Sequence, residues 1–528
     1  MKYNLVLAAL AAGLSTAADC PAYEQYARQR HEPFSCGKYK FPYQRPAKEC
    51  RSYVVPEVER VIKDMKAKVH DPDLYRLFLN TWPNTVDTTV LWRGTSADNP
   101  EEELAFVITG DINAMWLRDS ANQLQSYKPI LNDTSAGNDT NTVAALFRGV
   151  INLQARYLRK NPYCNSFQPP AESKIPPIQH RRKRSSTNPE GHRLNNLGRR
   201  DTVSPPYDPN EVWECKYELD SIAAFFQLSH DYFSATGDAA FFGKFAWRET
   251  VSALLDTARG LMVGTYAADG RVNPSPYTWF RDATTATEVV SNNGKGNPVE
   301  DRIGMVRSFF RPSDDSTIYQ YFVPANMMFA QNLKNCAVIM ESVDAKLAKD
   351  MEDMAAGIRK AIDDYAVVKH PKYGEIYAYE VDGFGSVNFM DDANIPSLLS
   401  IPHLGYEAND NAIYKRTRDF VLSRSNPYFS TGPVLNSTGG PHLGPGMAWP
   451  MGVIMRIMTS DDDDEIAGSL KMLMGATSGL GLIHESVNTF DDTNWSRSWF
   501  AWANGLFGQM LIDLADRKPK ILQRSFQD

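Results

Sequence analysis

The sequence predicts one large all-α domain in which paired helices close into a toroid, with short β-strands inserted between them. About a dozen segments place apolar residues at the spacing of an amphipathic helix, and they follow one another at fairly even intervals. Strands and helices do not alternate as they do in a parallel α/β protein. After residue 50 the chain has no candidate linker apart from one stretch at 165–212, so residues 51–520 are predicted to form a single domain.

The elements follow from local patterns along the chain. In residues 55–69, Pro56 occupies a position that a first helical turn tolerates, and Val58, Ile62 and Met65 share one face. Two alternating runs, 85–92 and 103–108, predict a pair of strands. Helical spacing also appears in residues 121–127, 141–159, 219–233, 241–262, 321–340, 346–365, 411–423, 449–458, 465–474 and 498–515.

Two further local signals concern turns and charges. Asp382-Gly383, inside the alternating run 373–389, predicts a β-hairpin. The acidic run 461–465 is expected at the start of a helix, where carboxylates interact favourably with the helix dipole. Calcium binding by the same run is the alternative.

The N-terminus predicts entry into the secretory pathway. Residues 1–18 combine Lys2, an apolar stretch at 5–14 and small residues up to Ala18, as signal peptides do. The apolar stretch is too short to span a bilayer, and no later run has the required length. We therefore expect a protein that is secreted or resident in the secretory lumen, with a cysteine-containing segment at 19–50 before the main domain.

Six cysteines and four glycosylation sequons fit that compartment. The cysteines predict one or two disulfides, with the pairing left open: Cys20, Cys36, Cys50, Cys164, Cys215 and Cys336. The sequons predict glycosylation on at least two of four asparagines: Asn132, Asn138, Asn436 and Asn494.

The stretch 165–212 interrupts the helical pattern. Proline pairs bracket the basic run His180-Arg181-Arg182-Lys183-Arg184, which predicts a flexible, exposed insert. A solvated loop is the favoured interpretation of the basic run. A site for a protease that cuts after paired basic residues is the alternative.

Composition and motif content exclude several classes of function. The formal net charge of −7 argues against a nucleic-acid partner. The nine histidines are dispersed, and the sequence contains no zinc-binding, nucleophilic-serine or phosphate-loop motif. We therefore expect neither a metal nor another cofactor.

The residues that suggest chemistry are carboxylates beside aromatic side chains. Residues 110–120 read G-D-I-N-A-M-W-L-R-D-S and place Trp116, Arg118 and Asp119 at a strand–helix junction. An indole packs on the C–H face of a sugar ring, while carboxylate and guanidinium groups bond its hydroxyls. The alternative is a buried Arg–Asp pair that only stabilises the junction.

Two further carboxylates suit acid–base catalysis. Asp220 precedes an apolar helix, where burial raises the pKa of a carboxylic acid, although it also suits a helix cap. Glu485 lies in a glycine-rich loop, where the alternative is an ordinary surface glutamate. Glycoside hydrolysis needs one protonated acid, one carboxylate base and aromatic rings that seat the sugar.

Several sequence blocks, in the same order, resemble the signature blocks of glycoside hydrolase family 125, the metal-independent exo-α-1,6-mannosidases. They are G-D-I-N-A-M-W-L-R-D-S, Y-E-L-D-S, F-R-P-S-D-D, F-M-D-D-A-N-I-P-S-L-L, and H-E-S followed by W-F-A-W-A-N-G-L-F-G. The resemblance extends from about residue 50 to about residue 515. It implies an (α/α)6 toroid, an inverting mechanism and the removal of terminal α-1,6-linked mannose. We expect the substrate to be N-glycans or mannan.

The resemblance also implies roles for individual residues. Asp220 matches the general acid and Glu485 the general base; inversion implies that their carboxyl groups stand roughly 6.5–9.5 Å apart. The residues implied to contact the sugar are Trp116, Arg118, Asp119, Asp315, Asn326, Asp392 and His442. The alternatives are another toroidal glycosidase, such as a calcium-dependent α-1,2-mannosidase or a glucoamylase-like enzyme, and an inactive mannan-binding protein.

Overall fold

Helices make up most of the regular structure in the computed structural model, which describes residues 20–132, 141–178, 201–281 and 286–528. The helical segments of this part are α1 (Tyr23–Tyr26), α2 (Pro56–Lys68), α3 (Pro72–Thr81), α4 (Asn84–Thr88), α5 (Leu117–Gln125), α6 (Val143–Lys160), α7 (Leu219–Thr236), α8 (Trp247–Leu261), α9 (Ser291–Gly294), α10 (Val323–Glu341), α11 (Ala345–Tyr365), α12 (Ala412–Val421), α13 (Pro450–Met458), α14 (Asp463–Gly475), α15 (Ala501–Arg517) and α16 (Pro519–Leu522). The predominantly helical fold is as predicted.

Short strands form small antiparallel sheets between the helices. They are β1 (Val90–Thr95), β2 (Glu103–Val107), β3 (Met115–Trp116), β4 (Ser166–Phe167), β5 (Thr202–Ser204), β6 (Val212–Glu214), β7 (Thr278–Phe280), β8 (Tyr321–Phe322), β9 (Val367–His370), β10 (Gly374–Tyr377), β11 (Glu380–Val381), β12 (Val387–Asn388), β13 (Phe429–Ser430), β14 (Ser437–Thr438), β15 (Met447–Ala448), β16 (Val487–Asn488) and β17 (Asp491–Trp495). Each sheet has two or three strands: β1-β2, β10-β9, β12-β11-β8, β13-β14, β15-β16-β17, β3-β4-β6 and β5-β7.

A set of deeply buried helices forms the centre of the molecule. Helix α5 packs against α7, α7 packs against α10, and α15 packs against both α5 and α13. A second set of helices covers them: α6 with α8, α11 on α10, and α14 on α13. The covering helices are amphipathic, whereas α10 and α15 are buried on most sides, in keeping with their mainly apolar sequences.

The central helices begin in a common way. The residue that precedes α5, α7, α10, α13 and α15 has an extended backbone, and in most cases it ends or follows a two-residue strand. This strand-to-helix junction is the structure that residues 110–120 predicted. It places the side chains at the helix N-termini where they can converge.

The main error in the element prediction lies at 85–92. The β-branched residues there predict a strand, but α4 occupies Asn84–Thr88 and β1 begins only at Val90. The hydroxyls of Thr88 and Thr89 donate to backbone carbonyls four residues earlier, which satisfies them inside a helical turn. Helix α3 was also missed, although Asp71 caps it by accepting from two backbone amides.

Other local predictions are confirmed. Asp382-Gly383 forms the turn between the paired strands β11 and β12. Asp462, in the acidic run, accepts from the backbone amides of Asp464 and Glu465 and so caps α14. No helix in the described part of the chain has the length and apolar character needed to cross a membrane.

The stretch 165–212 is more ordered at both ends than predicted. Strand β4 pairs with β3 and β6, while β5 pairs with β7, so 165–178 and 201–212 belong to the fold. The Cys164–Cys215 disulfide links the two ends, and Cys20–Cys50 is a second disulfide. The prediction missed these strands because prolines interrupt any alternation. The basic run 180–184 and the proposed signal peptide lie outside the described residues.

One close helix contact gives a test of the core. A Cβ added at Gly508 in α15 would lie 2.8 Å from the Trp82 backbone and closer still to its side chain. Gly508→Ala is therefore expected to lower the free energy of unfolding by about 1–3 kcal/mol, seen as a lower apparent Tm. Gly468→Ala in α14 is the control, because its Cβ would meet nothing within 4 Å. Equal Tm values for the two variants would contradict the packing argument.

Candidate active site

A pocket opens where central helices begin. Trp116, Trp449 and Phe500 line it because they are the residues with extended backbone from which α5, α13 and α15 start. Its lining residues are Thr109, Ile112, Trp116, Arg118, Asp119, Pro312, Ser313, Asp314, Asn394, His442, Trp449, Glu485, Arg497, Phe500 and Trp502.

Two indole N–H groups in the wall have no partner among the described residues. Trp449 and Trp502 are buried, and neither Nε1 atom makes a hydrogen bond within the described part of the chain. A buried donor without a partner costs free energy unless a ligand accepts from it. The pocket therefore suits a ligand that presents hydroxyl oxygens near these indoles and C–H faces toward the rings.

Arg118, in the first turn of α5, is the cation at the centre of the site. Its Nη1 donates to Glu218 at 2.7 Å and to Asp220 at 3.1 Å. Its Nη2 lies 3.5 Å from Asp119 and 4.0 Å from an oxygen of Asp314. Burial opposes the charge on Arg118, but the surrounding carboxylates outweigh burial and raise its pKa further. One guanidinium thus organises four carboxyl groups.

Asp119 lies deep in the pocket. Only 6% of its side chain is exposed, and its Oδ2 atom has no hydrogen-bond donor in the described structure. Burial, partly offset by Arg118, raises the pKa of Asp119 to about 6. This carboxyl group is placed to bond a ligand hydroxyl.

Asp314 is the most exposed of the carboxylates that line the pocket. Its side chain is 30% exposed, compared with 8% for Glu485. The backbone of Asp314 has φ +68°, in the left-handed region, and Lys216 Nζ donates to its carbonyl at 3.1 Å. The protein therefore holds this carboxylate in place through its backbone while leaving its side chain facing the pocket.

The Asp314 carboxyl contacts a second, fully buried one. Burial raises the pKa of Glu218 well above its usual value, although Arg118 opposes the shift. For Asp314, the cations Lys216 and Arg118 outweigh burial and lower the pKa to about 2. The two carboxyl groups are within hydrogen-bonding contact, and their pKa values are shifted in opposite directions.

Glu485 lies on another segment of the wall, just before β16. Its Oε2 accepts a hydrogen bond from Ser496 Oγ at 2.6 Å. Its Oε1 is 3.4 Å from Arg497 Nε, and Arg497 in turn pairs with Asp111 at 3.1 Å. These contacts fix the carboxylate without covering it.

His442 adds a third cation to the lining, beside Arg118 and Arg497. Its Nδ1 lies 3.6 Å from Asp315, which is buried behind it. Burial disfavours the imidazolium, but the contact with Asp315 outweighs it and raises the pKa of His442 to about 9.

The structure brings together five of the residues that the sequence singled out. Trp116, Arg118, Asp119, His442 and Glu485 all line the pocket.

Four other predicted residues do not line the pocket. Asp220 is 0% exposed and contacts Arg118 from behind, so it cannot touch a ligand directly. Asp315 is buried beneath His442. The Asn326 side chain is occupied by backbone groups of Val306 and Phe322.

Asp392 is the fourth of these residues. It accepts hydrogen bonds from the backbone and side chain of Asn394, and Asn394 is the member of that motif that reaches the pocket. Within this motif the residue that lines the pocket is thus two positions after the one that the sequence singled out.

Sequence reasoning also missed residues that do line the pocket. The prediction favoured Asp315 over its neighbour Asp314, although R-P-S-D-D contains both. Trp502 lies inside a block that the sequence analysis had singled out, whereas Arg497 and Trp449 had no distinguishing pattern. Which of two adjacent residues faces a pocket depends on the turn between them, and a loop sequence does not encode that turn as a simple period.

The four sequons differ in their surroundings. Asn132 is exposed, and Asn138 lies outside the described residues. The Asn436 side chain accepts from the Gly432 amide, and the third residue of its sequon, Thr438, is buried. Asn494 is half-buried in β17.

Carboxyl groups on separate segments of an aromatic-lined pocket are the groups that glycoside hydrolysis needs. Among the described residues, no group of three or more histidine, cysteine or acidic side chains is placed to hold a metal ion. The sequence profile of the metal-independent α-mannosidases, glycoside hydrolase family 125, matches residues 71–512. The chain belongs to this family, and its activity is that of an α-mannosidase.

Two particular relatives support this assignment. The chain is 42% identical over 509 residues to the meiotically up-regulated gene 157 protein of Schizosaccharomyces pombe, covering 96% of this chain and 94% of the relative. It also resembles a Streptococcus pneumoniae metal-independent α-mannosidase solved in a non-productive complex with α-1,6-mannobiose. That comparison has a TM-score of 0.72 and 29% identity and covers 88% of this chain and 99% of the other.

The His442–Asp315 pair makes stability depend on pH. The pKa of His442 is about 9 in the folded protein, compared with about 6.5 for an unperturbed histidine. The pair therefore stabilises the fold fully below about pH 6.5, and this contribution is lost as pH rises through about 9. Measured by thermal unfolding, the Tm advantage of wild type over His442→Gln should shrink between pH 6 and pH 10.

Asp315→Asn is the matched control, because it leaves the histidine but removes its anionic partner. It should show the same loss of pH dependence as His442→Gln. A Tm difference that stays constant with pH in both variants would contradict the charged pair.

Proposed function

We propose that the protein is an inverting exo-α-1,6-mannosidase that removes terminal α-1,6-linked mannose from N-glycans or mannan. The observation that supports it most directly is the pocket itself, in which Asp314 and Glu485 are carboxylates on separate segments of an aromatic wall. The 1,6 linkage is suggested by the mannobiose bound to the Streptococcus pneumoniae relative. Family membership supports the mannose specificity.

The general acid in this proposal is Asp314, in place of Asp220. In an exo-acting enzyme the leaving sugar extends toward the pocket opening, so the acid must lie there and not at the closed end. Asp314 has the more exposed side chain and contacts Glu218, whose pKa is raised by burial, so Glu218 would be the proton source for Asp314. Asp220 instead orients Arg118.

In this mechanism, three carboxyl side chains and one water molecule carry out the proton transfers. Asp314 protonates the glycosidic oxygen as the C1–O bond breaks, and Glu218 supplies the proton to Asp314. Glu485 removes a proton from the water that attacks C1 on the opposite face, which yields mannose of inverted configuration. The proton on Glu485 returns to solvent, and the Glu218–Asp314 pair takes up a proton from solvent.

The deep end of the pocket would bind the mannose ring. Asp119 and Arg118 offer an acceptor and a cation, while Trp449 and Trp502 offer indole donors. Each of these groups is buried and would gain a partner when hydroxyls bind, which favours a ring that enters completely.

The fold proposed for this function is an (α/α)6 toroid. Five helices would occupy inner positions: α5, α7, α10, α13 and α15. This order is supported by contacts between neighbours, because α5 packs on α7, α7 on α10, and α15 on both α5 and α13. Residues 391–404 would take the sixth inner position between α10 and α13.

The outer ring would consist of six helices, each preceding or following an inner one: α3, α6, α8, α11, α12 and α14. Such a ring directs every inner N-terminus toward one end, which accounts for the position of the pocket.

We also propose that the enzyme acts in the secretory lumen or outside the cell. The two disulfides are supporting observations, since such bonds persist in oxidising compartments. Asn132 is the exposed sequon asparagine among the described residues and would be a glycan acceptor.

Proton NMR of the reaction with α-1,6-mannobiose tests linkage and stereochemistry together. The proposal predicts β-mannose as the first product anomer, with slower turnover of α-1,2- and α-1,3-mannobiose and no loss of rate with EDTA. First appearance of α-mannose would exclude inversion. A preference for α-1,2 linkages that EDTA abolishes would instead favour a calcium-dependent enzyme.

Leaving-group dependence distinguishes the two candidate acids. Asp314→Asn should lower kcat on mannobiose by roughly 100-fold or more, but much less on an aryl α-mannoside whose phenolate leaves without protonation. Asp220→Asn disturbs Arg118 and should slow both substrates by a similar factor. If instead Asp220→Asn alone shows leaving-group dependence, Asp220 is the acid.

A further inference from the structure

The segment that follows Glu485 turns back on itself beside that residue. Strands β16 and β17 form a hairpin in which Val487 pairs with Trp495. Immediately after β17, the Ser496 amide donates to the Ser486 carbonyl at 3.3 Å. The hairpin thus returns Ser496 to the side of Glu485, eleven residues further along the chain.

The hydrogen bonds around Ser496 run in one direction, from Ser486 through Ser496 to Glu485. Ser486 Oγ donates to Ser496 Oγ at 3.0 Å, and Ser496 Oγ donates to Glu485 Oε2 at 2.6 Å. A hydroxyl has a single proton, and a carboxylate can only accept. Because Ser486 occupies a lone pair of Ser496, the Ser496 proton points at the carboxylate.

This arrangement distinguishes the two oxygens of Glu485. Oε2 is held by Ser496, whereas the contact of Oε1 within the described chain is Arg497 Nε at 3.4 Å, too long for a strong hydrogen bond. Both Glu485 and Arg497 line the pocket, but Ser496 does not. Oε1 is therefore the oxygen with free capacity to accept from a water molecule.

We propose that Ser496 is a positioning residue that fixes the Glu485 carboxylate so that Oε1 takes the proton of the attacking water. The inference rests on the proposed role of Glu485 as general base. A base must be held close to its productive orientation, and a charge-assisted hydrogen bond to one oxygen fixes the carboxylate plane.

The same residue changes the interpretation of a sequon. Ser496 is the third residue of Asn494-Trp495-Ser496, one of the four predicted glycosylation sites. The middle residue is also used, because Trp495 stacks on His484 with ring centroids 4.8 Å apart. Support of the base therefore accounts for the serine and the tryptophan of this triplet without any glycan.

Two substitutions that destroy the same sequon separate these roles. Ser496→Ala removes the hydroxyl and should lower kcat by roughly 10-fold or more with little change in KM, since Ser496 does not line the pocket. Ser496→Thr keeps a hydroxyl and should recover most of kcat. Asn494→Gln abolishes the sequon equally but leaves the hydroxyl, and its kcat should equal that of wild type.

The measurements are kcat and KM on α-1,6-mannobiose for the full-length protein, with Tm as a check on folding. Ser486→Ala is a second variant, which removes only the donor to Ser496 and should give a smaller loss of kcat. A kcat for Ser496→Ala within two-fold of wild type would overturn the inference. An equal loss in Asn494→Gln would overturn it as well, since a glycan effect would then explain both.

Glu485→Gln separates failure of this inference from failure of the proposed function. The proposed base predicts a loss of roughly two orders of magnitude or more in kcat for Glu485→Gln, and Ser496→Ala should then cause no further loss in that background. Full activity of Glu485→Gln would remove the proposed function itself. An inactive Glu485→Gln together with a fully active Ser496→Ala would remove only the role of Ser496.

Discussion

The burial of Arg118 among four carboxyl groups is the interaction on which the rest of the site depends. A guanidinium in this position is stable only because Glu218, Asp220, Asp119 and Asp314 surround it. The cation in turn stabilises the close approach of these carboxyl groups, with Lys216 assisting at Asp314. Removing it would leave unpaired buried charges on α5, on α7 and on the loop before α10, so the same contact supports both the packing of α5 on α7 and the acid–base groups.

The sequence was sufficient to predict the class of fold and the main parts of the pocket. Long segments in which apolar residues recur at helical spacing identify helices, because the residues at that spacing are the ones that become buried. Helix α11 is an example. The junction at residues 110–120 was recognisable because Trp116, Arg118 and Asp119 combine a charge pair with a large ring, and all three line the pocket.

What the sequence could not supply was the choice between neighbouring polar residues. Asp314 and Asp315 are adjacent, yet one faces the pocket and the other lies under His442, because the chain turns through a left-handed residue at that point. Asp220 matched the chemistry expected of an acid through its burial, but that burial also removes it from the ligand. Burial alone therefore identifies a carboxyl group whose pKa is shifted, but it does not show whether a substrate can reach that group.

The pocket is also assembled from parts that are far apart along the chain. The ion pair between Asp111 and Arg497 joins residues 386 positions apart, and α15, which follows directly, packs on α5. The wall is therefore incomplete until the last long helix has joined the first central one. Closing so long a loop is entropically costly and tends to be slow. Hydrolytic activity in a refolding or nascent chain would thus report that the two ends of the fold have met, an event that helix content alone does not register.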